Sequence, residues 1–337
     1  MGILSGDSHD PGFEPVLKLA EPVLDAAARP VRIAGGGEVR TGTASWTDPT
    51  MVAKGVFYPE GASTAEDRLR YYATRFPVVE VDATYYALPR KEQSKLWVER
   101  TPKDFVMDVK AHALMTGQPS EVKRLPKEIR EALPEKLKEK ARIYGKDLPA
   151  ELYDEVWTAF KEGVEPLRAA GKLGAIFLQF PRWVFPSSEA RDRIVDAKSR
   201  LGDMQLTVEF RHGSWFNEKN AERTLRFLTD NKIPYVVVDE PQGFKSSVPP
   251  VAAVTSPELA VFRFHGRRGD LWEKPNIPPN ERFRYLYDED ELADWAPRIA
   301  EAARSAKHVH ALMNNCSGNY GTTNALQLAD LLKQYQA

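Results

Sequence analysis

The chain has 337 residues, of which 42% are hydrophobic and 28% charged, a balance typical of a soluble globular protein. Its formal net charge of −1 gives no overall bias towards nucleic acid or anionic membranes, and its single cysteine excludes an internal disulfide and a cysteine-rich zinc site. No basic segment followed by an apolar run opens the chain, and no apolar stretch approaches the ~20 residues that span a bilayer, so we expect a cytoplasmic protein without a membrane partner.

The first 39 residues are predicted to be an N-terminal extension, ahead of a single domain at 40–337. Within the extension, EPVLKLAEPVLDAAA (14–28) has the pattern of a short amphipathic helix and AGGGE (34–38) that of a flexible joint. The glycines of this joint precede the first predicted strand instead of linking a strand to a helix. They therefore cannot cradle a pyrophosphate, and we expect no cofactor.

Eight apolar runs of strand length follow in the domain. They lie at 41–46, 78–83, 105–111, 174–180, 205–211, 234–239, 260–265 and 309–314. Most are followed by a segment with helical periodicity, such as 64–75, 151–170 or 290–306. Strands that alternate with helices predict a parallel sheet, and eight such units predict a closed (β/α)8 TIM barrel; a doubly wound open sheet is the alternative.

The lengths of the connections favour the barrel. Links from helix to strand are short, whereas the links that follow strands three, six and seven are long, at 112–150, 240–259 and 266–288. A barrel that functions at the C-terminal ends of its strands extends these connections in particular. The segment 113–150 is predicted to be a helical insertion over this mouth. Its basic residues are nearly matched by acidic ones, so nucleic acid binding is not indicated.

Charged side chains alternate with apolar ones along the predicted strands. In strand seven, Phe262 and Phe264 share one face, and Arg263 and His265 share the other. The outer surface of a barrel packs on helices and must be apolar, so the charged face points inward. The same sorting predicts an inward ring of Glu80, Asp82, Lys110, Glu209, Arg211, Arg263 and His265, joined by His112, Gln179 and Asn314.

This ring has a structural and a functional interpretation. A network of ion pairs would fill the barrel, but branched apolar residues are the usual filling, and buried ion pairs bring little net stability. Seven ionisable groups in one barrel mouth instead favour a functional pocket.

The same residues carry a resemblance to a known family. The segments concerned are GTASW (42–46), GVFYPEG (55–61), RYYATRFPVVEVDATYYALP (70–89), FVMDVKAH (105–112), KLGAIFLQFP (172–181), VEFRHGSWF (208–216), FRFHGR (262–267) and NNCSGNYGTTNAL (314–326). In combination they resemble the YecE-like family, domain of unknown function 72. The resemblance covers the chain from about Thr41 to its C-terminus and implies a TIM barrel, but it implies no reaction.

Several kinds of chemistry are compatible with the ring. A divalent metal would find ligand types among Glu80, Asp82, Glu209, His112 and His265, but the basic partners would neutralise the carboxylates, so we expect no metal. Cys316 follows strand eight at the mouth, where a nucleophile would lie, although a lone cysteine in a loop rich in Gly and Asn is often incidental. Two facing carboxylates can also divide into acid and base roles, as in glycosidases.

The connections after strands seven and eight predict an anion site. Arg267 and Arg268 offer forked donors, and the small residues from Ser317 to Thr323 precede the last predicted helix, whose positive end would attract an anion. We therefore expect a phosphate or carboxylate between Arg267, Asn315 and the start of that helix. The alternative is a tight capping turn with solvent-facing arginines.

The sequence thus predicts a TIM barrel that is enzyme-like at its C-terminal mouth and acts on a small anionic ligand by acid–base chemistry. The predicted catalytic residues are Glu80, Lys110, Glu209 and His265. The predicted ligand-binding residues are Asp82, His112, Gln179, Arg211, Arg263, Arg267, Asn314 and Asn315. A metal-dependent hydrolase or isomerase and a non-catalytic ligand-binding barrel are the alternatives, and a purely structural ion network is a third.

Overall fold

A computed structural model describes residues 28–337 of the chain. The helix predicted at 14–28 lies, apart from its last residue, outside the described residues. None of the helices in the described part has the length and hydropathy needed to cross a membrane.

Eight parallel strands form the barrel. They are β1 (Glu38–Ala44), β2 (Val78–Val81), β3 (Val106–Lys110), β4 (Leu173–Gln179), β5 (Leu206–Glu209), β6 (Val236–Asp239), β7 (Leu259–Phe264) and β8 (His308–Met313). Their spatial order is β5-β4-β3-β2-β1-β8-β7-β6. The two ends of this series meet at a parallel bridge between Val208 and Tyr235, where the Val208 N–H donates to Pro234 O at 3.1 Å. The sheet therefore closes on itself, which confirms the predicted TIM barrel and shows the open-sheet alternative to be wrong.

Helices surround the barrel. They are α1 (Ala65–Arg75), α2 (Lys91–Glu99), α3 (Lys127–Ala132), α4 (Glu135–Lys138), α5 (Ala150–Ala169), α6 (Ser188–Leu201), α7 (Ala221–Asp230), α8 (Pro279–Arg282), α9 (Glu289–Ser305) and α10 (Tyr320–Leu332). Local sequence sets where they begin: Thr64 and Asp67 form a reciprocal capping box at α1, as Asp288 and Glu291 do at α9. Among the described residues no helix lies between β6 and β7.

The outward faces of the strands build the apolar core against these helices. Phe262 and Phe264 of β7 meet the Trp295 ring of α9 edge-on, with centroid separations of 5.9 and 5.5 Å. Because side chains alternate along a strand, Arg263 between them must point into the barrel. Packing the aromatic face outward thus fixes the charged face inward.

The long connection after β3 folds into several short elements. It contains α3 and α4, together with a two-stranded antiparallel pair formed by Ser120–Glu121 and Arg142–Ile143. A second short strand, Val31–Arg32, pairs antiparallel with the start of β1 at the opposite end of the barrel.

Candidate functional site

Arg263 is the centre of the charged interior. Its side chain is 1% exposed, and its Nε and Nη2 each donate to a carboxylate oxygen of Glu80 at 2.8 Å. Its Nη1 donates to Glu209. Glu80 lies on β2, Glu209 on β5 and Arg263 on β7, which are not neighbours in the sheet. The guanidinium of Arg263 therefore connects three strands that are not neighbours. A guanidinium can do this because its several N–H donors can bind two carboxylates at once.

Three basic side chains contact Glu209. Besides Arg263, Arg211 Nη1 lies 3.0 Å and His265 Nε2 3.3 Å from Glu209 Oε1. Burial alone would raise the pKa of Glu209, but Arg263, His265 and Arg211 together hold the pKa well below its usual value. Glu209 is therefore a fixed anion that orients the basic groups around it.

His265 is a neutral member of this network. Burial, reinforced by the neighbouring Arg211, lowers the pKa of His265 to about 3. Asn314 Nδ2 lies 2.8 Å from His265 Nδ1. His265 Nε2 lies 3.3 Å from Glu209 Oε1 and 3.1 Å from Arg211 Nη1. The ring therefore lies between Asn314 on one side and the Glu209–Arg211 pair on the other.

Glu80 is fully buried, and the partly exposed pair of Asp82 and Lys110 lies next to it. Burial, with a further contribution from Asp82, raises the pKa of Glu80 to about 8 despite Arg263. Lys110 Nζ lies 3.2 Å from Asp82 Oδ1, and these side chains are 14% and 31% exposed. Burial opposes ionisation of Asp82, but Lys110 and Arg263 outweigh it and lower the pKa of Asp82. Burial therefore opposes the ionisation of Glu80, although Arg263 favours it, and a more accessible ion pair lies beside it.

Glu240 is a buried carboxyl group that the sequence prediction missed. Its Oε1 accepts from the Val248 N–H at 2.7 Å, while Oε2 has no hydrogen-bond partner among the described residues and lies 3.7 Å from Arg211 Nη1. Burial raises the pKa of Glu240 to about 7. Its position directly after β6, at the mouth end of a strand, is the signal that would have identified it.

Asp108 and His310 form another polar layer that the prediction missed. His310 Nδ1 lies 2.8 Å from Asp108 Oδ2, and both side chains are almost fully buried. Gly174 leaves room for this pair, because a Cβ there would lie 2.3 Å from Asp108 Oδ1. Strand alternation predicts both positions, since Asp108 precedes Lys110 by two residues and His310 precedes Asn314 by four.

Arg267 is not part of the charged interior. Its Nη2 donates to Asp239 at 2.7 Å, and its Nη1 donates to Glu291 at 2.9 Å. Asp239 also accepts from the Tyr287 hydroxyl at 2.8 Å and from Trp295 Nε1 at 2.7 Å. This cluster fastens α9 to the end of β6. The expected anion site around Arg267 therefore has its main donor already committed to two carboxylates.

Asn315 and His112 also have other partners. Asn315 Nδ2 donates to Tyr285 O and to Asn324 Oδ1, both at 2.8 Å. The ring nitrogens of His112 lie 3.4 Å from the Leu114 N–H and from Ser120 Oγ, in the segment that follows β3. Burial lowers the pKa of His112 to about 4. The structure therefore does not bring His112 to the ring, and the amide nitrogen of Asn315, predicted to bind an anion with Arg267, is committed to other partners.

Two of the chemical alternatives meet specific obstacles. Burial raises the pKa of the Cys316 thiol to about 12, which opposes the thiolate that a nucleophile requires. No group of three or more His, Cys, Asp or Glu side chains within residues 28–337 is arranged to hold a metal ion.

A cavity of about 470 Å³ opens at the mouth beside this network. Gln179 and Arg211 reach it from the ends of β4 and β5. Four of its lining residues are cations, and none of the described residues that line it is acidic. The cations are Arg182, Arg211, Lys274 and Arg282.

Among the cations of the cavity, Arg211 is paired with Glu209, whereas Arg282 has no carboxylate partner. Arg282 donates to the backbone carbonyls of Leu271 and Lys274, at 3.0 and 2.7 Å, instead of to a carboxylate. Burial, together with Arg182 and Arg211, lowers the pKa of Arg282. Arg211 lies 5.0 Å from the centroid of the Trp272 ring. The cavity therefore has an aromatic wall and a lining whose charged residues are all cations. Such a lining stabilises a bound anion.

The chain matches known proteins over most of its length. The family model described as "Protein of unknown function DUF72" matches residues 40–337. The UPF0759 protein YunF of Bacillus subtilis (strain 168) is 31% identical over 294 residues, which is 86% of this chain and 93% of that protein. A DUF72 family protein of Thermotoga maritima MSB8 superimposes with a TM-score of 0.68 at 29% identity, covering 88% of this chain and 99% of that one. A DUF72 family protein of Enterococcus faecalis V583 also gives a TM-score of 0.68, at 28% identity over 87% of this chain and 95% of that one.

Proposed function

The chain belongs to the DUF72 family, whose description names no reaction, and we propose that it is an enzyme that binds a small anion at the C-terminal mouth and acts on it by acid–base chemistry. The single observation that carries the proposal is the mouth cavity, in which four cations meet without an acidic lining residue. An anion bound there would meet preorganised donors, which need no rearrangement when negative charge develops.

Arg211 is the anchor for the anionic group. Glu209 fixes its guanidinium from below at 3.0 Å, and its side chain remains 15% exposed towards the cavity. Arg282 and Lys274 face it from the loop after β7. Guanidinium groups bind phosphate and carboxylate through two parallel hydrogen bonds, so this group of cations suits either anion.

The acid–base groups are those beneath the cavity. Four carboxyl groups, Glu80, Asp82, Glu209 and Glu240, contact three cations, Lys110, Arg211 and Arg263, so full ionisation would leave a net charge of −1. Retaining one proton would make the cluster neutral, and the raised pKa values of Glu80 and Glu240, caused by burial, support either of them as its carrier. Asp82 and Lys110, at 31% and 14% exposed, form a pair that reaches solvent, and Lys110 is the one that would pass a proton to a ligand.

Isothermal titration calorimetry with inorganic phosphate and citrate tests the binding step. We expect Arg211→Gln and Arg282→Gln each to weaken binding about tenfold or more, since a charge-assisted hydrogen bond contributes roughly 1.5–3 kcal/mol. The matched control is Arg298→Gln, which removes the same charge from α9, where Arg298 lies over the Trp295 ring. No binding by either anion, or equal binding by all variants, would remove the basis of the proposal.

A turnover screen with phosphorylated and carboxylated small molecules tests the catalytic step. We expect Lys110→Met and Glu80→Gln to abolish turnover while inorganic phosphate still binds. Binding without turnover of any compound would instead indicate the non-catalytic ligand-binding barrel. Turnover that EDTA abolishes would indicate the metal-dependent alternative.

A further inference from the structure

Trp183 projects from a turn that the fold holds in place. The turn closes through the Val184 N–H, which donates to Pro181 O at 3.1 Å, and Trp215 Nε1 donates to Val184 O at 2.9 Å. Trp183 is 51% exposed. A tryptophan this exposed on an anchored turn presents a flat apolar face to solvent, as aromatic side chains at binding surfaces do.

Trp183 lines two cavities. One is the basic cavity of about 470 Å³, and the other, of about 570 Å³, lies towards α6. The second cavity contains Glu189 and Asp196 as well as Arg193, so its charges are mixed. Of these two cavities, only the first combines the indole with cations and has no acidic residue among its described lining residues. One of these cations, Arg182, directly precedes Trp183 on the turn.

The size of the basic cavity exceeds what a phosphate or carboxylate group alone would fill. Its volume of about 470 Å³ lies within the range of small-molecule sites, roughly 300–1,000 Å³. The part that faces the cations takes the anionic group. The remaining walls combine polar side chains with an aromatic and apolar surface. Trp272 and Phe283 meet at a centroid separation of 6.2 Å, and Phe180, Pro181 and Pro275 extend this surface. The polar lining residues are Gln118, Gln179, Ser246 and Asn276.

We propose that the ligand of this cavity is an anion that carries a planar ring, which stacks on Trp183 while Arg182, Arg211 and Arg282 hold the anionic group. This inference rests on the function proposed above and specifies its substrate class. Stacking on an indole requires a flat π-face and discriminates against a saturated ring of similar size. The anchored turn presents the indole in a fixed orientation, so little side-chain freedom is lost on binding.

Calorimetry with four probes tests the inference: inorganic phosphate, methyl phosphate, cyclohexyl phosphate and phenyl phosphate. We expect phenyl phosphate to bind about tenfold more tightly than cyclohexyl phosphate, the gain that base–aromatic stacking typically gives. Trp183→Leu should remove this preference while leaving inorganic phosphate binding unchanged, and Trp183→Phe should restore most of it. Tyr86→Leu is the control, because Tyr86 is also an exposed aromatic, at 50%, but does not line the cavity.

The outcomes separate the two proposals. If phosphate binds but phenyl and cyclohexyl phosphate bind equally, or if Trp183→Leu retains the preference, the planar ring is excluded and the anion site remains. If no probe binds, both proposals fail together. A preference for the phenyl compound that depends on Trp183, with Tyr86→Leu unchanged, supports the inference.

Discussion

Two sets of arginines lie at the same end of the barrel, and they differ in whether carboxylates neutralise their charge. Arg263 is buried, and each guanidinium nitrogen meets a carboxylate oxygen of Glu80 or Glu209. Arg282 and Arg182 line the mouth cavity, where none of the described lining residues is acidic. Burying a charge without a partner costs several kcal/mol, so the interior must be compensated, whereas cations near solvent need not be.

Arg211 belongs to both sets, because it lies at the boundary between the buried interior and the mouth cavity. It contacts Glu209 at 3.0 Å on the interior side and lies 5.0 Å from the Trp272 ring on the cavity side. The comparison indicates that compensated charges hold the barrel together, whereas uncompensated ones remain available to a ligand. Substitutions in the first set should therefore change stability, and those in the second should change binding.

The largest effect is expected for Arg263→Met. The substitution leaves Glu80 and Glu209 buried without their shared guanidinium, which should lower the free energy of unfolding by about 3–5 kcal/mol. Urea denaturation followed by circular dichroism measures it. Arg298→Met, on the outer helix α9, should change stability by no more than about 0.5 kcal/mol. A loss below about 1 kcal/mol for Arg263→Met would show that the network does not hold the interior.

Glu209→Gln is expected to cost about 3 kcal/mol at pH 7, again because buried cations lose their partner. The folded-state pKa of Glu209 lies below its usual value of 4.5, so its contribution to stability is present above that value and is lost as the pH falls through the folded-state pKa. The difference between wild type and variant should therefore shrink as the pH falls below about 4.

The control for this variant is Glu222→Gln, because Glu222 is 84% exposed and pairs with Arg226 on the surface of α7. It should change stability by less than about 0.5 kcal/mol at any pH. A difference for Glu209→Gln that stays constant from pH 7 to pH 3 would contradict the assigned ionisation of this carboxyl group.

Glu240→Gln is expected to stabilise the protein, whereas Glu209→Gln is expected to destabilise it. Burial raises the pKa of Glu240 from 4.5 to about 7, so its favourable contribution is present below the unfolded-state value and is lost as the pH rises through the folded-state value. The amide imitates the protonated acid, and the variant should become more stable than wild type by about 1 kcal/mol or more between pH 5 and pH 8. Denaturation curves at both pH values test this. A variant less stable than wild type at pH 8 would show that Glu240 is ionised and needed by Arg211.

Much of the fold was predictable because it depends on local alternation. The sequence predicts all eight strands, since each contains a short apolar run of strand length, and in several, such as β7, apolar and charged residues alternate. The same alternation placed Arg263 and Glu209 inside the barrel. Applied to every strand, it would also have identified Asp108 and His310. Glu240 is harder to predict, because alternation ends with β6 and only its position at the mouth end of that strand identifies it.

The mouth was less predictable because loops bring together residues that no local period connects. Arg267 was expected to bind an anion, but Asp239 and Glu291, at sequence separations of 28 and 24, reach its guanidinium in the folded protein. Arg182 and Arg282 come from the connections after β4 and β7, and sequence spacing gives no sign that they line one cavity. Charge compensation is a property of the assembled loops, so it is visible only in three dimensions.

The smallest effect on stability, and the sharpest contrast with Arg263, is expected for Arg182→Gln. Arg182 acts on Arg282 as a like charge, and it lowers the pKa of Arg282. Removing it should therefore leave stability unchanged or raise it, by no more than about 0.5 kcal/mol at low salt, while weakening phosphate binding. The gain should disappear at about 1 M NaCl, where the Debye length falls to about 3 Å. Arg168→Gln is the matched control, because Arg168 pairs with Glu165 at 2.7 Å and with Asp203 at 2.9 Å, so its removal should instead destabilise the protein slightly at low salt. If Arg182→Gln behaved as Arg168→Gln does, Arg182 would have an acidic partner, and the contrast between a compensated interior and an uncompensated mouth would not hold.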